Sequence, residues 1–203
     1  EENISMDFNF NTVSSEFKSL LSLIPSAYSS NFKDVKTTGD LNFRGHVKGL
    51  YNMSDIPKFK FHIDTKNASF KYPELPKTVE DIFINTEITN TTGKIDDTAI
   101  AIKKLRFKID QDVFSAKSKI TNIANNPKVQ ATFTGRIDLK NISESYPLQL
   151  KQKLQGKIEA KITSSFTQKA LKNKDFKQIS NVGYVSFHNF VTDTELLPNP
   201  IHI

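Results

Sequence analysis

Apolar residues recur at every second position along most of this chain, a period that admits few folds. Ile4, Met6, Phe8 and Phe10 share one parity, as do Val35, Leu41, Phe43, Val47 and Tyr51. Phe59, Phe61 and Ile63 follow, then Ile82, Ile84 and Ile88, then Ile100 and Ile102. Further runs are Phe114, Ala116 and Ile120; Val129, Ala131, Phe133, Ile137 and Leu139; Leu154, Ile158 and Ile162; and Val185, Phe187 and Val191. Successive side chains of a strand point to opposite faces, so each run predicts a strand with one apolar and one polar face. The turn signals TNTTGKIDD (89–97), DQD (110–112) and NNP (125–127) are short. Consecutive strands are therefore predicted to pair antiparallel, as a meander. Leu105, Phe107 and Ile109 are odd where Ile100 and Ile102 are even, and a β-bulge at Lys103 and Lys104 would restore the face.

Runs of this length exceed the usual strand of about 5–6 residues, and a 12-residue strand reaches ~40 Å. Only 14–24 and 168–179 read as helices, with a further turn at 142–146. Two short helices cannot cover so broad an apolar face. Either the sheet folds onto a second sheet as a closed sandwich, or it stays open and something apolar lies against it. Six of the seven glycines, Gly39, Gly45, Gly49, Gly135, Gly156 and Gly183, fall in the apolar parity. Glycine there fits a sheet curling toward that face, and equally a sandwich core relieved of crowding. The expected fold is mainly β: a long curved antiparallel sheet, an open groove or half-barrel with two short helices, in one domain over 1–203. Pro73 and Pro76 in YPELP (72–76) lack ladder donors and hold Tyr72 and Leu75 toward extended geometry, which predicts a stiff extended crossing.

Chemistry finds few footholds. His46 and His62 occupy the polar parity of their strands, His188 faces opposite Phe187, and no metal-ligand spacing occurs. Asp96 with Asp97 and Asp110 with Asp112 fall in turns, where aspartate bonds local backbone. No GxSxG elbow or glycine-rich phosphate loop is present. These observations point away from an enzyme and imply no cofactor or metal. Lys and Arg total 28 against 22 Asp and Glu, but only Arg44, Arg106 and Arg136 are arginine, a poor basis for nucleic-acid readout. Zero cysteine rules out disulfides and thiol chemistry and fits cytoplasm and periplasm alike. No run approaches the roughly 18 apolar residues of a membrane span. Sixteen phenylalanines, five tyrosines and no tryptophan make a dry face, better suited to an acyl chain or a protein core than to sugar or nucleotide. The opening EENISMDF and closing LPNPIHI read as a segment of a longer chain, with any anchor or export signal outside it.

The stretch NASFKYPELPKTVEDIFINTEITNTTGKIDDTAIAIKKLRFKI (67–109) resembles the C-terminal region of AsmA-like proteins of Bacteroidetes-type bacteria. LIP (23–25), GDLNFRGHVKGLY (39–51), VQATFTGRIDLKNI (129–142) and LPNPIHI (197–203) support the resemblance, which covers most of the chain. That family is similar to TamB and to bridge-like lipid transfer proteins. The resemblance implies a β-groove in the periplasm, anchored to the inner membrane through a segment outside this sequence. Such a groove would carry phospholipid acyl chains toward the outer membrane, with an outer-membrane protein as a possible partner. Binding would be spread over Leu41, Phe43, Val47, Phe59, Phe61, Ile63, Ile82, Ile84, Ile100, Phe107, Phe114, Phe133, Ile137, Ile158, Ile162 and Phe187. At roughly 25 cal/mol per Å², partial burial of one acyl chain there contributes several kcal/mol without headgroup specificity. The competing expectation is a closed sandwich acting as an adhesion or assembly module without a lipid ligand.

Overall fold

The computed structural model describes residues 3–12, 15–19, 35–145, 155–192 and 201–202. The alternating runs become strands β1 (Ile4–Asn11), β2 (Lys36–Tyr51), β3 (Lys58–Lys71), β4 (Val79–Asn90) and β5 (Ala99–Ile109). They continue as β6 (Asp112–Thr121), β7 (Lys128–Asp138), β8 (Gln155–Thr167), β9 (Ser180–Thr192) and the two-residue β10 (Ile201–His202). Each pairs antiparallel with the next, so the described strands form one sheet in the order of the chain. It is a long curved sheet not closed into a barrel. No second sheet faces it among the described residues, so the two-sheet sandwich is not the architecture.

Bulges set the curvature. At the predicted slip, Ile102 pairs Ser118 and Leu105 pairs Ala116, leaving one extra residue in β5. Gly39 and Gly156 occupy two further register shifts, at φ of 95° and 100°, and a Cβ on either would lie about 2.5–2.6 Å from backbone of the neighbouring strand. Only glycine fits there without strain. Asn67 in β3, opposite Gly39, and Asp81 in β4 are bulged as well, both at positive φ, and the apolar parity slips across each, from Ile63 to Ala68 and from Val79 to Ile82. The irregularity takes Ile84 N and Ile82 O off the regular ladder, and the buried Thr65 hydroxyl serves both, accepting from Ile84 N at 2.9 Å and bonding Ile82 O at 3.2 Å.

YPELP is a turn, not an extended crossing. Leu75 N donates to Tyr72 O at 3.1 Å, and the segment links β3 to β4 at the sheet's end. Pro73 supplies the fixed φ favoured at the first central position of the turn, where no N–H is needed, while Lys77, just after the segment, ties it down. Its ammonium bonds Asp110 at 2.5 Å, Glu144 at 3.3 Å and the Asn141 amide oxygen.

The described helices are short. Helix α1 (Leu139–Ser143) starts three residues before the predicted turn because Asp138 caps it, accepting from Lys140 N. The predicted helix 168–179 is instead α2 (Gln168–Lys172) followed by a 3-10 turn at Phe176–Gln178, with Lys174 at φ 54° between them. Of the predicted helix 14–24 only 15–19 is described. There Glu16 bridges to Asp40, and Lys18 and Ser19 are helical. LIP (23–25), Leu154 and residues 193–200 lie outside the described residues.

Candidate functional site

Residues paired directly across an antiparallel ladder share a side of the sheet, so the register decides which side chains form one wall. One row runs Phe10, Gly45, Phe61, Ile88, Ile100, Ile120, Val129, Phe166, across eight strands. A second runs Ile84, Leu105, Ala116, Phe133, Ile162, Gly183, and a third Phe107, Phe114, Gly135, Ala160, Val185. Ile137, Ile158 and Phe187 make a fourth. Leu41, Phe43, Val47, Phe59, Ile63 and Ile82 sit on the same side toward β2–β4. All sixteen residues singled out in the sequence thus lie on one face. The adjoining row on the other side reads Asn11, Arg44, His62, Glu87, Ala101, Lys119, Gln130, Ser165, Ser180. One step along the strands changes grease for charge.

The wall is not equally open along its length. Leu41, Val47, Ile63 and Ile82 are buried, and Phe17, carried in by residues 15–19, closes a cluster with Ala68, Val79, Ile82 and Ile109. Phe17 N donates to Gly39 O and Leu41 N to Ser15 O, so this plug is stitched to the edge of β2 where β1 has ended. Toward the other side the wall is uncovered: Phe133 and Phe187 are each 38% exposed and Val185 41%. Between these zones, Leu139 and Ile142 of the α1 region overhang Phe114, Phe133, Ile137 and Ile158 around a hollow of about 140 Å³. The hollow is partly open to solvent and its lining is almost wholly apolar.

The aromatic side chains line up as contacts along the face. Phe10 meets Phe43 at 4.9 Å between ring centroids and Phe61 at 5.7 Å, and Phe59 stacks on Phe61 at 4.6 Å. Phe107, Phe114 and Phe133 continue the series at 4.9 and 6.1 Å. Rings offer area without a polar group that a ligand would have to satisfy.

The opposite face is an electrostatic surface. Glu87 lies 3.0 Å from Lys103 and 3.2 Å from Lys60, and these ammonium groups hold its carboxyl below the usual glutamate range. Lys48, with His46, does the same for Asp7, and Asp7 in turn raises Lys48. His62 turns to this side as expected and sits 3.1 Å from Asp64. Asp97 accepts from the Thr92 hydroxyl, Asp96 from the Asn125 amide and Asp112 from Asp138 N, so these turn carboxylates have local structural partners. Among the described residues no cluster of three or more His, Asp or Glu could hold a metal ion, and no helix is long and apolar enough to cross a membrane.

Phe10, Ile88, Ile120, Val129, Phe166 and Val185 belong to the wall without having been singled out. Their parity carried the signal, more faintly for Phe166, which shares the even positions of Ile158 and Ile162 but follows Ser164. Phe17 and Ile142 gave none, because each reaches the wall by a long-range contact rather than by strand period. Comparison with protein-family models, curated proteins and solved structures finds no match to this chain.

Proposed function

We propose that this chain is a non-enzymatic lipid-binding groove that takes phospholipid acyl chains along its apolar wall. In this reading it is part of a periplasmic protein, anchored to the inner membrane through a segment outside this sequence, that conducts lipid toward an outer-membrane partner. One observation carries the proposal: rows of apolar side chains cross one face of the sheet and are left uncovered over β7–β9, where Phe133, Val185 and Phe187 meet solvent. Exposed apolar surface gathered on one face is a recurring feature of binding sites in folded proteins and supports this reading. Each methylene moved out of water contributes about 0.8 kcal/mol, so a chain lying along several strands gains enough to offset its own ordering. No charged side chain falls in these rows, and the polar ones interleaved with them, Thr86, Ser118, Ser164 and Asn181, are uncharged, which suits a conduit that does not select among headgroups. The resemblance to AsmA-like proteins supplies the cellular setting.

Native mass spectrometry of the purified chain, with organic extraction and lipid analysis of the same sample, tests the proposal. Co-purifying phospholipid displaced by added detergent is the expected result. A lipid-free chain that takes up no phospholipid from vesicles would leave the wall without the proposed ligand.

A further inference from the structure

Large apolar side chains are held out to solvent at one end of the sheet. Alternate connections of an antiparallel meander fall at opposite strand ends, which puts the β2–β3, β4–β5 and β8–β9 connections together. Among the described residues, the large apolar side chains exposed in connections are Met53, Ile95, Leu171 and Phe176, all at that end.

The β8–β9 connection, residues 168–179, is the most built of these. Gln168 N donates to Pro127 O at 2.8 Å, Lys169 N to Asn126 Oδ1 at 3.0 Å, and Asp175 N to Ala170 O at 2.9 Å. This bonding buries Ala170 to 3% exposure while Leu171 and Phe176 stand 53% and 71% exposed. The connection thus closes over a methyl group while an isobutyl group and a phenyl ring stay in water. The same twelve residues carry Lys169, Lys172, Lys174 and Lys177 against one acid, Asp175, whose carboxylate accepts from Gln178 at 2.6 Å.

We propose that this connection is a membrane-docking tip for an anionic bilayer, with Leu171 and Phe176 entering the acyl boundary and the four ammonium groups meeting lipid phosphates. Protruding apolar residues ringed by lysine are the composition of interfacial anchors. A bilayer accepts separate protrusions at one end of a molecule, whereas a folded partner would need a matching pocket for each. The inference does not rest on the wall's holding a lipid.

Phe176→Trp gives the chain its only tryptophan and so reports on the tip alone. Its emission should shift to the blue with vesicles of equal parts phosphatidylglycerol and phosphatidylcholine, and stay in place with phosphatidylcholine alone. In sedimentation with the anionic vesicles, the Leu171→Ser/Phe176→Ser double variant should bind about tenfold less than the native chain. Replacing the four lysines by glutamine should remove the preference for phosphatidylglycerol, while Lys117→Gln, on the polar face of β6, changes nothing. Because the substituted side chains are exposed, unfolding midpoints should match the native one. The lipid retained by the double variant after purification should equal that of the native chain, which separates this site from the wall. Unmoved tryptophan emission, undiminished vesicle binding by the double variant, or binding to polyglutamate but not to vesicles would overturn the proposal.

Discussion

Gly45 stands directly opposite Phe61 in the β2–β3 ladder, and the ring occupies the space its missing side chain leaves: a Cβ would lie 2.5 Å from Phe61 Cδ1. Phe10, its partner in β1, would be 2.6 Å away. Gly45 therefore lets two rings close over the backbone, and the wall is smooth where it would otherwise carry a ridge. Gly45→Val should destabilise the chain by about 1–3 kcal/mol through overpacking. Gly45→Ala should cost less, because the atoms it meets are the ends of rings that can turn away. Urea unfolding of the two variants checks both the order and the size.

Two separate ion-pair clusters give stability opposite pH limits. Glu87 is depressed by Lys103 and Lys60, so its contribution is full above the ordinary glutamate value and is lost as pH falls through the depressed one. Lys77 is raised chiefly by its bond to Asp110, so its contribution is full below the ordinary lysine value and is lost as pH rises through the raised one. Glu87→Gln should flatten only the acid limb of a stability–pH curve, and Lys77→Met only the alkaline limb. Denaturant midpoints measured across both limbs check the assignment.

Much of the sheet was legible because its signals are local. Period-two runs placed β1 through β9, short turns forced neighbour pairing, and the parity slip at Lys103 located a bulge correctly. The bulges at Asn67 and Asp81 were harder to read: the parity slips at both, but four polar residues separate Ile63 from Ala68 and Val79 is the only apolar residue before Asp81 in its strand, so neither slip interrupts a run. YPELP misled for a different reason: proline before a strand fits both an extended crossing and a turn, and here the chain closes a turn from Leu75 N to Tyr72 O, with Lys77 beyond it bonded to Asp110, 33 residues away. The wall residues were legible one strand at a time. Which of them meet, and that Phe17 seals one end while Phe133 stays open, depends on register and on a long-range contact that no local pattern encodes.

That division between sealed and open wall predicts two different responses to the same substitution. Ile82 is 5% exposed within the Phe17 cluster, so Ile82→Asp would bury an unpaired charge and should unfold the chain or cost at least about 3 kcal/mol. Phe133→Asp puts its carboxylate at a half-open site, where the fold should survive with a loss of about 1–2 kcal/mol and acyl-chain uptake should fall away. Circular dichroism melts, paired with vesicle-to-protein lipid uptake, read the two effects separately.

The most direct measurement is site-specific photocrosslinking from the two faces of one strand. A photoreactive phenylalanine analogue at Phe133 or Ile162, on the wall, should form covalent adducts with phospholipid, resolved by mass spectrometry of the intact chain. The same analogue at Lys161 or Thr132, one step along on the polar face, should form none. Adducts of equal yield from both faces, or none from the wall while phospholipid is present in excess, would contradict a groove that holds lipid by its apolar side.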